Sequence, residues 1–260
     1  MEAILSAIFQ QSDAAVLVAM GVFVRVGAVA FLIPGLGERG LSMRVRLGGA
    51  LALTALLSPM IVPLVDKAPE TVPALFFMIA AEALSGLIIG FAFRLLVFVL
   101  QIAGMVAAQH LSVAQMFGAG VAPEPEPTIA TMLALGGIAI AMMAGMHVHA
   151  VAALAALYDV LPFGAFPDSG SIAEWATLRM SETFSLGVSL AAPFVAIGFA
   201  YNVALGALNR AMPQLLVAVV GVPFLLWIGM VALHHVLPSI FDTWFESMDN
   251  VFIDPLGRLR

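Results

Sequence analysis

Six long apolar runs leave this chain little choice of environment: Ala14–Pro34, Leu47–Val65, Ala74–Ala108, Ile129–Leu157, Phe184–Leu208 and Leu215–Leu237. A helix rises 1.5 Å per residue, so about 20 residues cross a hydrocarbon core of about 30 Å. Five of the runs have the length of one span. Ala74–Ala108 is too long for one straight crossing and short for two, so it reads as one long helix or as a hairpin that does not fully cross. The fold class expected is all-α, a polytopic helical membrane protein. Charge supports this: 10% of the residues are charged and 62% hydrophobic, whereas about a quarter of an ordinary soluble domain is charged. A free soluble domain is excluded.

Other classes fall away on simple counts. With no cysteine, neither a disulfide framework nor a thiolate metal site is available. The formal net charge of −6 provides no basic patch to meet phosphates, which argues against a nucleic-acid partner. The start Met1–Ser6 carries no basic residue, so a cleaved signal peptide is not expected.

Loop charge predicts orientation. Arg39, Arg44 and Arg46 lie between the first two runs and Arg210 between the last two, which the positive-inside rule places in the cytoplasm. The stretch Tyr158–Thr183, with Asp159, Asp168, Glu174 and Glu182 against Arg179, reads as an outer acidic loop. A second polar break, Gln109–Thr128, holds Pro123, Pro125 and Pro127, which keep it extended. Ahead of those prolines, Gln109–Gly120 is apolar but punctuated by Gly118, Gly120, Gln109 and Gln115. That pattern suits irregular backbone packed inside protein rather than a helix facing lipid. Met116 and Phe117 within it are candidates for a deformable seal.

Ionisable groups inside apolar runs are costly in lipid and are functional candidates by default. Here they are Arg25, Glu82 and Arg94. Glu82, Gly86 and Gly90 fall four apart and share one helical stripe, and glycines so spaced let a second backbone approach closely. The carboxylate is then either a proton relay or a structural group paired across a tight seam, and the absence of a second titratable group nearby favours the seam. Arg94 cannot be its partner along one straight helix, being about 18 Å away; Arg25 can. His147 and His149 diverge by about 200° on a helix, and His234 and His235 by about 100°, so neither pair has metal-ligand spacing. No serine sits in a Gly-x-Ser-x-Gly elbow, and no His-Glu-x-x-His or phosphate-cradling glycine loop is present.

Asn209-Arg210-Ala211-Met212-Pro213-Gln214, followed by Val220-Gly221-Val222-Pro223, resembles an element of the FliR family, inner-membrane components of the flagellar type III export apparatus with relatives in virulence injectisomes. The Glu82–Gly86–Gly90 stripe, Arg25 with Pro34, Met43–Gly48 and Leu161–Gly164 are similar to further family elements in the same order, so the resemblance runs from about residue 14 to residue 250. It departs from the family at Leu41-Ser42, where a proline is usual, and at Leu216-Val217-Ala218.

The resemblance implies kinked helical hairpins stacked with FliP-like and FliQ-like membrane subunits in a helical hetero-oligomeric export gate. It implies a FliP-like part over residues 1–128, a FliQ-like part over 129–260, and prolines 59, 63, 193, 213, 223 and 238 as kink points. Export proteins of the FlhB and FlhA type would supply energy, with unfolded exported proteins as cargo and membrane lipid as surroundings. Neither catalysis nor a cofactor is implied. The location would be the bacterial inner membrane at the flagellar basal body. The family's plug loop would fall on Gln109, Ser112, Gln115, Met116, Phe117, Gly118 and Gly120, and the Gly86/Gly90 approach would be a subunit contact. Two other readings stand beside it: a small proton-coupled secondary transporter using Glu82, and the homologous injectisome subunit.

Overall fold

The computed structural model describes residues 14–38, 40–65, 69–110, 128–211, 217–253 and 256. All regular structure among them is helical. The helices are α1 (Ala14–Leu32), α2 (Met43–Ile61), α3 (Val72–His110), α4 (Thr128–Met143), α5 (Met146–Ala156), α6 (Ser169–Ala211) and α7 (Val217–Ile253), with a short 3₁₀ turn at Val62–Leu64 after α2.

Local chemistry explains most of the boundaries. Ser42 caps α2 by accepting from the Val45 amide, and Thr71 caps α3 by accepting from the Ala74 amide. These side-chain oxygens satisfy donors that have no partner inside the helix. Pro63 cannot continue α2 and instead enters the 3₁₀ turn. Pro59 and Pro193 sit inside α2 and α6, while positions 223 and 238 fall within α7.

The six runs each become helix, with three differences from expectation. Ala74–Ala108 is a single helix, α3, of 39 residues, about 58 Å long at 1.5 Å per residue. Ile129–Leu157 is not one span: it breaks at Gly145, whose φ of 85° is left-handed, and the axis turns by 77° there. The acidic stretch Tyr158–Thr183 is a loop only as far as Asp168. Asp168 Oδ2 accepts from both the amide and the hydroxyl of Ser171, 2.8 Å each, which starts α6 fifteen residues before the apolar run begins. Polar residues after it, Glu174 among them, are exposed and cost the helix nothing.

Among the described residues, four helices are long and apolar enough to cross a membrane (Ala15–Leu32, Met43–Leu64, Val72–His110 and Ser169–Leu208), and the broken α4–α5 pair would make a fifth. The chain is a polytopic helical membrane protein.

It divides into two compact units that are interleaved along the sequence. Unit 1 comprises Met1–Leu95, Ala141–Arg179 and Asp249–Arg260; unit 2 comprises Leu96–Ile140 and Met180–Met248. Unit 2 is held by close backbone approaches. Gly104 on α3 faces the Ala130 backbone of α4, Gly137 faces Leu100, and Gly187 on α6 faces Ile102. There the buried Trp244 indole donates to the Leu96 carbonyl at 2.8 Å. In unit 1, α3 is the helix the others pack on. α1 runs parallel to it: Gly21 lies by Met78, Arg25 by Glu82, and Val29 and Leu32 by Gly90. α2 contributes a narrow buried stripe of Ala50, Thr54, Leu57 and Ile61.

Candidate functional site

The charged centre of unit 1 is built on the α1–α3 seam. Arg25 and Glu82 are both fully buried, and their side chains meet in a two-pronged pair. Arg25 Nε donates to Glu82 Oε2 at 2.8 Å and Nη2 to Oε1 at 2.9 Å. Two buried charges are tolerated only when geometry and further hydrogen bonds replace the lost water. Here the α5–α6 loop supplies them. Arg25 Nη1 donates to the Leu161 carbonyl at 2.9 Å and Nη2 reaches that of Pro162 at 3.5 Å. The Gly164 amide donates to Glu82 Oε1 at 2.8 Å, from a residue with φ of +70° that suits glycine. The Tyr158 ring lies 3.9 Å under the guanidinium, a cation–π contact. The buried hydroxyls of Tyr158 and Ser85 have no hydrogen-bond partner of ordinary geometry among the described residues. The site is therefore a clasp: it fastens the turn 161–164 onto α1 and α3.

Glycine makes the clasp possible. A Cβ on Gly86 would run into the Arg25 carbonyl and lie 2.8 Å from the Ala28 Cβ; one on Gly90 would lie 2.9 Å from the Leu32 Cβ. The stripe of Glu82, Gly86 and Gly90 thus faces α1 of the same chain, where the expectation had been a contact between subunits. The register that puts Arg25 opposite Glu82 is fixed by the same two glycines.

Arg94 lies farther along α3 and pairs with Glu38 at 2.7 Å, both partly exposed. Glu38 belongs to the α1–α2 turn, which Arg46 also ties down by donating to the carbonyls of Leu36 (2.9 Å) and Glu38 (3.1 Å). The other candidate residues lie elsewhere. Gln109 closes α3 and is exposed; Ser112, Gln115, Met116, Phe117, Gly118 and Gly120 fall outside the described residues. Asn209 and Arg210 end α6, Arg210 exposed, whereas Pro213 and Gln214 lie outside the described residues. His147 and His149 sit on α5, both exposed.

Sequence reasoning missed the parts of the clasp that come from the loop. Leu161–Gly164 stood out only as a shared element, and Tyr158 did not stand out at all. The only local hint is the glycine at 164, which marks a turn without naming what it turns toward.

The profile of bacterial export proteins, family 1, matches residues 16–251, nearly the whole chain. The chain belongs to this family. Its relatives agree over almost their full length. The flagellar biosynthetic protein FliR of Caulobacter vibrioides is 31% identical over 232 residues, 89% of this chain and 92% of that protein. The FliR proteins of Escherichia coli (27% identical; 90% and 91% covered) and Bacillus subtilis (28%; 88% and 92%) are similar over the same extent. The matched span of the family takes in both arms of the clasp and its loop.

Proposed function

We propose that the chain is a structural and gating subunit of the type III protein export channel of the bacterial flagellum, acting in the inner membrane to pass unfolded flagellar proteins. The observation that carries this is the end-to-end agreement with proteins named for flagellar biosynthesis, within a family of export proteins. The role is not catalytic: the subunit holds helices in place and lets a passage open or shut. FliP-like and FliQ-like subunits are the partners proposed, with residues 1–128 and 129–260 corresponding to each kind. Residues 109–120 are proposed as the plug on the resemblance alone.

The clasp favours this role over a proton-coupled transporter. A coupling carboxylate must take up and release a proton, and so needs water access and a free oxygen. Glu82 has neither: it is fully buried, and both oxygens accept hydrogen bonds. It is a structural group.

Export by cells lacking the chain tests the proposal. Loss of secreted filament protein and of motility, with growth unaffected and both restored by the intact gene, is the expected result. Cells that still build filaments without it would contradict the proposal.

A further inference from the structure

Unit 1 carries its charges at two levels, and α3 measures the distance between them. At the start of α3 lie Glu70 and, through the Phe77–Phe166 ring contact at 5.4 Å, the nearby Asp168. A groove lined by Glu70, Phe77, Phe163 and Gly164 joins the same two segments. Because α1 runs parallel to α3, the far end of α1 is level with Arg94. There Glu38, Arg46 and Arg94 hold one another, and Arg44 stands exposed beside them. Val72 to Arg94 spans about 33 Å at 1.5 Å per residue, which is close to a hydrocarbon core of about 30 Å. Between the two levels α1, α2 and α3 carry a single charged couple, Arg25 with Glu82, and it is internally neutralised.

The outside of this layer is apolar. Beyond its buried stripe α2 exposes Leu47, Leu51, Leu56 and Met60 around most of its circumference, and α3 exposes Phe76. Apolar surface bounded above and below by charge, at the spacing of a bilayer, fits acyl chains between two headgroup layers.

We infer that unit 1 sits in the bilayer with its hydrocarbon boundary at the level of Glu38, Arg46 and Arg94, and that lipid acyl chains cover the outer surface of α2. The remaining third of α3, past Leu95, then lies outside the hydrocarbon core. A helix of 39 residues is too long for one crossing, and the Arg94–Glu38 pair marks where the crossing ends. The positive-inside rule assigns that level to the cytoplasmic side.

The native chain has no cysteine, so single spin labels report depth without a prior deletion. The probes are Leu51→Cys, Leu56→Cys, Arg44→Cys and Met105→Cys, all exposed positions, in the assembled complex in membranes. Relaxation is compared with oxygen, which concentrates in hydrocarbon, and with a water-soluble nickel chelate. Labels at 51 and 56 should respond several-fold more to oxygen, the label at 44 more to nickel, and that at 105 should show no preference for oxygen. Met60→Cys replaces either α2 probe that fails to assemble. A label at 51 or 56 shielded from both reagents would mean that a neighbouring subunit covers α2, and would overturn the inference while leaving the export role intact. An oxygen-dominated response at 105 would place all of α3 in the bilayer and overturn it equally.

Discussion

Arg25 on α1 and Glu82 on α3, 57 residues apart in sequence, share two hydrogen bonds at 2.8 and 2.9 Å with neither side chain exposed. Each is the reason the other is tolerated. A lone buried charge has to be stripped of water without return, whereas this pair also draws in two carbonyls and an amide from the loop at 161–164.

Removing one partner should therefore cost more than removing both. Arg25→Leu or Glu82→Leu alone leaves an uncompensated buried charge, an effect of about 3–5 kcal/mol in comparable sites. The double variant Arg25→Leu/Glu82→Leu should recover much of that loss. Thermal unfolding of the purified assembly measures it, and equal damage in the single and double variants would sink the clasp.

The seam makes a sharper steric prediction. Gly86→Leu should abolish the assembled complex, because even a Cβ at 86 meets the Arg25 backbone. Gly27→Ala, where a Cβ meets nothing within 4 Å, should be harmless or slightly stabilising, by about 0.5–1 kcal/mol as for helical glycines generally. Yield of complex from membranes separates the two; a normal yield of the Gly86 variant would show that the helices do not close there.

Asp168 gives a pH dependence with a definite sign. The Ser171 amide and hydroxyl hold its carboxyl below the usual range. The cap is then present above the ordinary carboxylate pKa of about 3.9 and lost as pH falls through the lower folded value. Amide exchange at Ser171 should be protected at neutral pH and accelerate only in strong acid, while Asp168→Ala should show fast exchange at every pH. Protection unchanged in that variant would remove the cap from the account of where α6 begins.

Much of this architecture was legible in the residues. The apolar runs located the helices, and the four-residue spacing of Glu82, Gly86 and Gly90 put a carboxylate and two small residues on one face. Which helix that face meets was not legible, since helix register depends on packing that no local pattern encodes. Arg25 was one possible partner among others, and Glu38 lay unnoticed in a turn. The helix from Ser169 was hidden because its first turns are polar and exposed, so hydropathy marks only its apolar half.

For the plug, deletion of Ser112–Gly120 should leave the complex assembled and make cells leaky to small solutes. Dye uptake into cells making the shortened chain measures this, and unchanged permeability would remove the case for that loop.

The composition of the native complex tests the central claim most directly. Affinity purification of the chain from its own membranes in mild detergent, followed by mass spectrometry, should recover two other small and very apolar membrane proteins in fixed ratio. A lone monomer or homodimer would contradict the assignment of this chain to an export gate.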